Sequence, residues 1–461
     1  MSSVERVLSD IDANLDRSLA RLFSLLRIKS ISADPHYKQD CRDAADWCAR
    51  TLNEIGIEAG VRDTIGHPMV VGHYRGAGAG APHVLFYGHY DVQPVDPIGL
   101  WERDPFDPAI VEVNGEKRIV ARGADDDKGQ LMTFVEAARS WMAVEGRLPV
   151  NLTVLFEGEE ESASPSMVPF LTENAEELKA DYALVCDTSM WNRETPAISV
   201  FLRGLLYEEV VVQAASHDLH SGYYGSAARN PIHVLTKILA DLHDGNGRVT
   251  IPNFYDGVCD ITPEQKAQWA SLGFDQQAFL REIGLSVPAG ETGYSALEQV
   301  WARPTAEVNG IVGGYVGEGA KTVIPAKASA KVSFRLVGDQ NPDEIRRNFR
   351  AFVAERLPAD CKASFLNHGG DRAVNQPSDS PLVRKAQQAL SDEWGRQAVL
   401  IGMGGSIPIV AQFKRILGMD SLLIGFGLED DRIHSPNEKY NLTSYHRGTR
   451  SWARVLAAIA E

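Results

Sequence analysis

Four short apolar runs constrain the fold more than any other feature of this chain: MVVGHY (69–74), HVLFYGHYD (83–91), NLTVLFEG (151–158) and DYALVCD (181–187). Stretches of helical periodicity lie between them, Lys128–Val144 above all, and another, Ala44–Ile55, precedes the first. Strands separated by helices predict a parallel or mixed sheet with helices on both faces. From about Leu205 the texture changes. LLYEEVVVQAA alternates, a helix follows over Pro231–His243, and an irregular stretch runs to about Pro304. KTVIPAKASAKVSFRLV then alternates strictly, with Ala328, Ala330, Val332, Phe334 and Leu336 on one face and Lys327, Ser329, Lys331, Ser333 and Arg335 on the other. That pattern predicts an antiparallel sheet with one wet face. After about residue 375 the α/β rhythm returns, with helices expected over Pro381–Trp394, Ile407–Leu417 and Leu442–Ile459. The expected architecture is an α/β domain, residues 1–204 and 373–461, interrupted by an inserted α+β domain, residues 205–372.

At 461 residues the chain exceeds one ordinary core, which agrees with two domains. Its net charge of −16 argues against nucleic acid or an anionic membrane as partner. The first 28 residues read as one amphipathic helix of mixed charge, neither signal peptide nor membrane span. Five scattered cysteines with no CxxC pair suit a reducing cytoplasm and offer no structural zinc site. Two glycine-rich stretches, Gly76–Pro82 and Gly314–Thr322, read as loops, because each precedes a strand where a phosphate-binding motif must open a helix. Neither HExxH nor GxSxG occurs.

The third run ends in FEGEEESASP, four carboxylates in five residues where a buried strand leaves the core. Like charges there repel and lose hydration. The cluster is not alone: LFYGHYDVQP ends a strand with His89 and Asp91, RGADDDKGQ places Asp125, Asp126 and Asp127 before a helix, ALVCDTS ends a strand with Asp187, and IHSPNEKYN carries His434 in a polar loop. In open α/β sheets functional groups collect at the carboxyl ends of strands. Five such exits supplying His, Asp or Glu point to divalent metal. Taken singly, Asp125–Asp127 fits a helix N-terminus, Glu159–Glu161 a solvated loop, Asp91 a turn cap and His434 a surface histidine. Their joint occurrence favours metal. Glu157, Glu159, Asp125 and Asp127 are read as solvated or structural.

GHYDVQP, WERDPFDP, RGADDDKG, FEGEEESAS, ALVCD, DLHSGYYG, NGIVGGY, KTVIPAKASAKVSFRLV, GGSIP and HSPNEK, in this order from about residue 85 to 440, resemble the co-catalytic zinc metallopeptidases. That family includes carnosinases, cytosolic nonspecific dipeptidases, aminoacylases, glutamate carboxypeptidase and succinyl-diaminopimelate desuccinylase, and the spacing is most similar to the dipeptidase branch. The resemblance implies two zinc ions per subunit, with manganese or cobalt as alternatives. Asp126 would bridge them, with His89 and Asp187 completing one site and Glu161 and His434 the other. Glu160 would be the base acting on a water shared by the two ions, Asp91 would orient His89, and Glu159 would point away. The inserted domain would be a lid that dimerises. Within it His220 would donate to the developing oxyanion, His217 being an ordinary loop histidine. Arg335 would clamp a substrate carboxylate, with Thr322, His368 and Ser406 in the same pocket and Asn309 in a matching block.

One departure stands out. Relatives in the dipeptidase branch carry REGGSIP, whereas this chain has IGMGGSIP, so Gly402 and Met403 replace a charged pair. The expectation is a cytoplasmic homodimeric hydrolase of dipeptides or similar small substrates with a free carboxylate. The alternatives are an N-acyl-amino-acid amidohydrolase and, more distantly, a metal-dependent binding protein without activity, which the presence of Glu160 disfavours.

Overall fold

A computed structural model describes residues 2–376, 378, 380–405 and 407–461. The chain divides into two compact units: Met1–Val200 with Gln376–Ile401 and Gln412–Glu461, and Phe201–Asn375 with Gly402–Ala411.

The first unit is built on a mixed sheet whose strand order runs Glu58–Arg62, Met69–Tyr74, Asn151–Glu157, His83–His89, Tyr182–Val185, Asp420–Leu423, Ala197–Leu202. His83–His89 is parallel to both Asn151–Glu157 and Tyr182–Val185, and Asp420–Leu423 is parallel to Tyr182–Val185. The carboxyl ends of these four strands therefore open on one edge. Asn151–Glu157 is buried at every residue, which needs cover on both faces and explains why the run reads as continuous rather than alternating. Helix Lys128–Glu145 stops at Gly146, whose φ of 67° is the left-handed C-terminal conformation glycine adopts without steric cost. Two further helices of this unit, Pro381–Trp394 and Leu442–Ala460, lie close to their expected spans. On Leu442–Ala460, Trp452 is fully buried. It stands edge-on to Phe86, Phe134 and Phe426 at centroid distances of 5.7, 5.5 and 6.4 Å, and its Nε1 donates to Cys186 Sγ at 3.3 Å. Trp452→Ala should cost about 3–5 kcal/mol of stability, read by denaturant titration, because the cavity cannot close against a stacked Phe86–Phe134 pair.

Three of the expected helices need correction. The N-terminal segment forms two helices, Ser3–Ala13 and Leu15–Leu26, because Asn14 turns its amide back onto the carbonyl and carboxylate of Asp10. The helix expected from Ala44 begins earlier, at Lys38. The segment expected as one helix from Ile407 is α-helical over Pro408–Gln412 and widens to a π-turn over Phe413–Leu417.

The second unit holds a four-stranded antiparallel sheet ordered Thr305–Gly313, Lys327–Leu336, Gly204–Gln213, Lys362–Asp371. The face bearing Ala328, Ala330, Val332, Phe334 and Leu336 is buried, as its alternation predicts, with Val234, Leu235 and Ile238 of helix Pro231–Ala240 and Ile345, Phe349 and Phe352 of helix Pro342–Glu355 in the same core. Glu208 lies on that buried face and is neutralised by Arg346 and Arg350 at 3.0 and 2.8 Å. The stretch before Pro304 is not irregular. It forms helices Pro263–Ser271, Gln276–Glu282 and Ala296–Ala302, the first and third closed by capping boxes, Thr262 with Gln265 and Ser295 with Glu298. Among the described residues, no helix is long and apolar enough to cross a membrane.

Candidate metal centre

The parallel strands deliver their carboxyl-end residues to one place. His89 is the last residue of its strand, Glu160 and Glu161 open a single 3-10 turn after Asn151–Glu157, and Asp187 follows Tyr182–Val185. Asp126 precedes helix Lys128–Glu145, and its peptide bond to Asp127 is cis. His434 sits in the left-handed region, φ 61°, in the loop after Asp420–Leu423.

Asp126 is the centre of the arrangement. Its Oδ1 lies 3.1 Å from His89 Nε2 and its Oδ2 lies 2.9 Å from His434 Nε2, which is itself 3.3 Å from Glu161 Oε2. Two trios result, His89–Asp126–Asp187 and Asp126–Glu161–His434, each with ligand atoms within 4.8 Å of one another.

The donor set fits cations. His89 Nδ1 lies 3.1 Å from the Asp91 carbonyl oxygen. That oxygen can only accept, so Nδ1 carries a proton, and in the neutral form of the ring Nε2 is left with a lone pair for a cation. Buried Nε2 finds no hydrogen-bond donor and faces carboxylates instead. Lys128, adjacent in sequence, does not neutralise them, since its ammonium donates to the carbonyls of Leu25 and Ile28 at 3.3 and 2.7 Å, and burial brings its pKa down to about 8.

The electrostatics follow from burial and crowding. Burial raises Asp126, but the imidazoles of His434 and His89 beside it outweigh that and hold the carboxyl below the ordinary range. Burial, then Asp126, pushes Asp187 well up. Burial lowers the proton affinity of His89, and Asp126 and Asp91 more than reverse that. Asp126 and Glu161 raise His434 to about 10. Glu160 is pushed up to about 7, by burial first and then by Glu161 and Asp126 against the opposing His89.

A set of buried carboxylates supports these groups by accepting backbone N–H bonds. Asp91 accepts from Glu160 N at 3.3 Å and Glu161 N at 3.1 Å, while its Oδ1 is 3.4 Å from His89 Nδ1. Its contact with His89 thus runs through the backbone carbonyl as well as the carboxylate. Asp127 accepts from His89 N at 3.0 Å. Glu159 turns away from the trios and accepts from His67 N at 2.6 Å and Ser166 N at 3.0 Å. Glu157 accepts from the Tyr87 hydroxyl at 2.6 Å. Asp125 is held well above the ordinary range by burial and by Asp431 and Glu438. All four of the acids read as solvated or structural are therefore buried, which removes the solvated alternative. Gln93, of the GHYDVQP stretch, was not singled out by its sequence, yet its amide donates to Glu161 Oε2 at 2.8 Å.

In the second unit, Leu219–His220 pairs with Val323–Ile324, and Ser221 N donates to the Thr322 carbonyl at 3.0 Å, so His220 and Thr322 are neighbours. His220 Nδ1 accepts from Gly222 N at 3.0 Å, which leaves Nε2 with the proton of a neutral ring and able to donate. Arg335, half-buried on Lys327–Leu336, stands opposite Leu205 of the other central strand and Thr305 of the edge strand. Arg203, also missed, is held at about 10 by burial and by the charge of Arg335, and its Nε donates to the Gly404 carbonyl at 2.9 Å. His368 Nε2 is 3.5 Å from Glu209 Oε2. Asn309 is exposed at a β-bulge between Val308 and Gly310. Ser406 lies outside the described residues. Gly402 packs so closely on Trp301 that an added Cβ would come within 2.8 Å of its ring, so a side chain there requires Trp301 to move.

Residues 85–458 match the peptidase family M20/M25/M40. Over 474 residues the chain is 30% identical to the Cys-Gly metallodipeptidase dug1 of Schizosaccharomyces pombe, covering 99% of this chain and 98% of that protein. Among solved structures, the dipeptidase Dug1p of Saccharomyces cerevisiae superposes with a TM-score of 0.83 at 26% identity, covering 100% of this chain and 99% of that one. The metallo-carboxypeptidase Sso-CP2 of Sulfolobus solfataricus gives 0.83 at 30% identity, over 96% and 99%.

Proposed function

Because the chain belongs to the peptidase family M20/M25/M40, we propose that it is a metal-dependent dipeptidase, hydrolysing the peptide bond of dipeptides or similar small substrates that carry a free carboxylate. The observation that carries this reading is Asp126, whose two oxygens face two different imidazoles and close two ligand trios. His89, Asp126 and Asp187 would hold one divalent cation, and Asp126, Glu161 and His434 a second. The proposed metal is zinc; manganese and cobalt suit the same nitrogen and oxygen donors. Bound there, such cations supply Lewis acidity and bring the pKa of water towards ~7.

The protein's own groups do the rest. Glu160 shares the turn of Glu161 but belongs to neither trio, and its backbone N–H is fixed by Asp91. It takes a proton from the attacking water and returns it to the leaving amine. His220 Nε2–H donates to the developing oxyanion. Arg335 pairs with the substrate carboxylate through two parallel N–H bonds, with Thr322, His368, Asn309 and Ser406 as further partners. The second unit serves as lid and dimerisation domain. Its edge strand Thr305–Gly313 exposes Val308, Ile311 and Val312, an apolar edge suited to a second copy. The names of the relatives support dipeptides as substrates.

Gly402 and Met403 favour a second reading. With no charged pair at these positions, a free substrate amine loses one means of recognition, and an N-acyl-amino-acid amidohydrolase becomes the alternative.

One panel separates the two: dipeptides, their N-acetylated counterparts and their C-terminal amides, each with reconstituted protein, with and without chelator. Chelator-sensitive cleavage of free dipeptides is expected, with amides slower by about 10- to 100-fold for loss of a charge-assisted pair. Cleavage confined to the acetylated compounds would replace the dipeptidase reading with the amidohydrolase.

A further inference from the structure

We propose that Glu438 is a positioning residue that sets the Asp126 and His434 loops relative to each other, an inference that rests on the metal-site reading above. Its carboxylate is fully buried and takes four hydrogen bonds, all from the segment that carries Asp126. Oε2 accepts from Arg122 Nη1 at 2.7 Å and Gly123 N at 3.0 Å. Oε1 accepts from Asp125 N at 3.0 Å and Asp126 N at 3.1 Å. The backbone adds to this, since Ala121 N donates to the Glu438 carbonyl at 3.2 Å and Lys439 pairs with Val120 in a small antiparallel sheet.

The other end of the connection is His434, four residues earlier. The loop around His434 is not rigid by its own preferences: Arg432, His434 and Asn437 all occupy the left-handed region, at φ of 58°, 61° and 63°, which residues other than glycine seldom adopt without external support. Asn437 anchors it by donating to the Leu100 carbonyl at 2.9 Å and accepting from Glu102 N at 2.8 Å. Glu438 anchors it to the Asp126 segment. Since Asp126 Oδ2 and His434 Nε2 stand 2.9 Å apart, any slippage between the two loops moves the ligands of one trio against each other. Asp126 also belongs to the other trio, so both sites feel the displacement.

Glu438→Gln tests this with little change of volume. Each carboxylate oxygen accepts from two donors. Whichever way the amide turns, its NH2 faces two donors and cannot accept from either. Metal-free protein is titrated with Mn2+ and Zn2+ by calorimetry, and its thermal unfolding is followed separately. The expected result is cation affinity weaker by about 10- to 100-fold, the usual consequence of removing a group that holds a ligand. Arg122→Met is the companion, because it breaks the buried ion pair but leaves the three amide bonds in place. It should lower the melting temperature while weakening cation affinity clearly less than Glu438→Gln does, because three of the four bonds to the carboxylate remain.

Unchanged affinity in Glu438→Gln alongside a lowered melting temperature would reduce Glu438 to a structural role and overturn the proposal. Equal loss of affinity in both variants would do the same. If the glutamine variant does not fold, Glu438→Asp decides, since it keeps the charge but withdraws the oxygens by one methylene and should also weaken binding. A wild type that binds no cation would instead sink the metal-site reading itself.

Discussion

Glu160→Gln is expected to retain both cations and lose turnover by about 10²–10⁴-fold, the usual contribution of a positioned acid–base group. The substitution is nearly isosteric and leaves the backbone bond from residue 160 to Asp91 Oδ1, 3.3 Å in the native chain, undisturbed. It also leaves both trios whole, since Glu160 belongs to neither. What changes is the ability to accept a proton, which an amide oxygen at neutral pH does not have. The decisive pair of measurements is kcat on the best dipeptide and cation stoichiometry on the same sample. A variant with native kcat would remove Glu160 as the base, and one that had lost a cation would make it a ligand instead.

Glu160 also shows how far sequence alone reaches. The acidic run after Asn151–Glu157 marks a functional site because buried strand ends do not carry clustered carboxylates without a reason. The spacing within the run assigns no partners, however. Glu159 turns back onto His67 and Ser166, while Glu161 turns towards His434. That division is fixed by donors more than ninety residues away in the chain, in the case of His67, and no local periodicity encodes it. Asp91, Asp127 and Glu438 repeat the point. Each is an acid that accepts N–H bonds from another segment, and nothing local in the sequence names that segment.

Secondary structure divides along the same line. The strand Lys327–Leu336 is legible at every position because one face is buried and the other is wet. The parallel strands are legible as runs, and their shared direction follows from the helices between them. The hairpin of Ala109–Val113 and Glu116–Val120 went unread although Asn114–Gly115, both at positive φ of 53° and 80°, is the expected two-residue turn. Its strands are short and rich in charge, and the third strand, Lys439–Asn441, joins from the far end of the chain. The helices before Pro304 carried readable signals in TPEQ and SALE, two capping boxes that composition obscured. The grouping of Gly402–Ala411 with the second unit has no local signature at all. It includes Gly402, whose close packing on Trp301 is visible only in three dimensions.

The largest effect is expected from Asp126→Ala, which should abolish binding of both cations and reduce activity by about 10⁴-fold or more, to the level of the chelated wild type. The cause is a shared side chain. Asp126 is the one residue common to the two trios, so its removal leaves His89 with Asp187 and Glu161 with His434, two ligands in each place. Catalytic zinc sites ordinarily keep three protein ligands, and a pair does not hold the ion against water and buffer. Asp187→Ala and His434→Ala each remove a ligand from one trio only, so either variant should keep one cation and lose the other. A graded result, none bound in Asp126→Ala and one bound in each of the other two, is what a bridging carboxylate requires. If Asp126→Ala still bound one cation with native affinity, Asp126 would serve a single site, and the proximity of its second oxygen to His434 would be an ordinary ion pair. The measurement needs no substrate, only metal analysis of the dialysed variants, and so it remains decisive whichever amide bond the enzyme prefers.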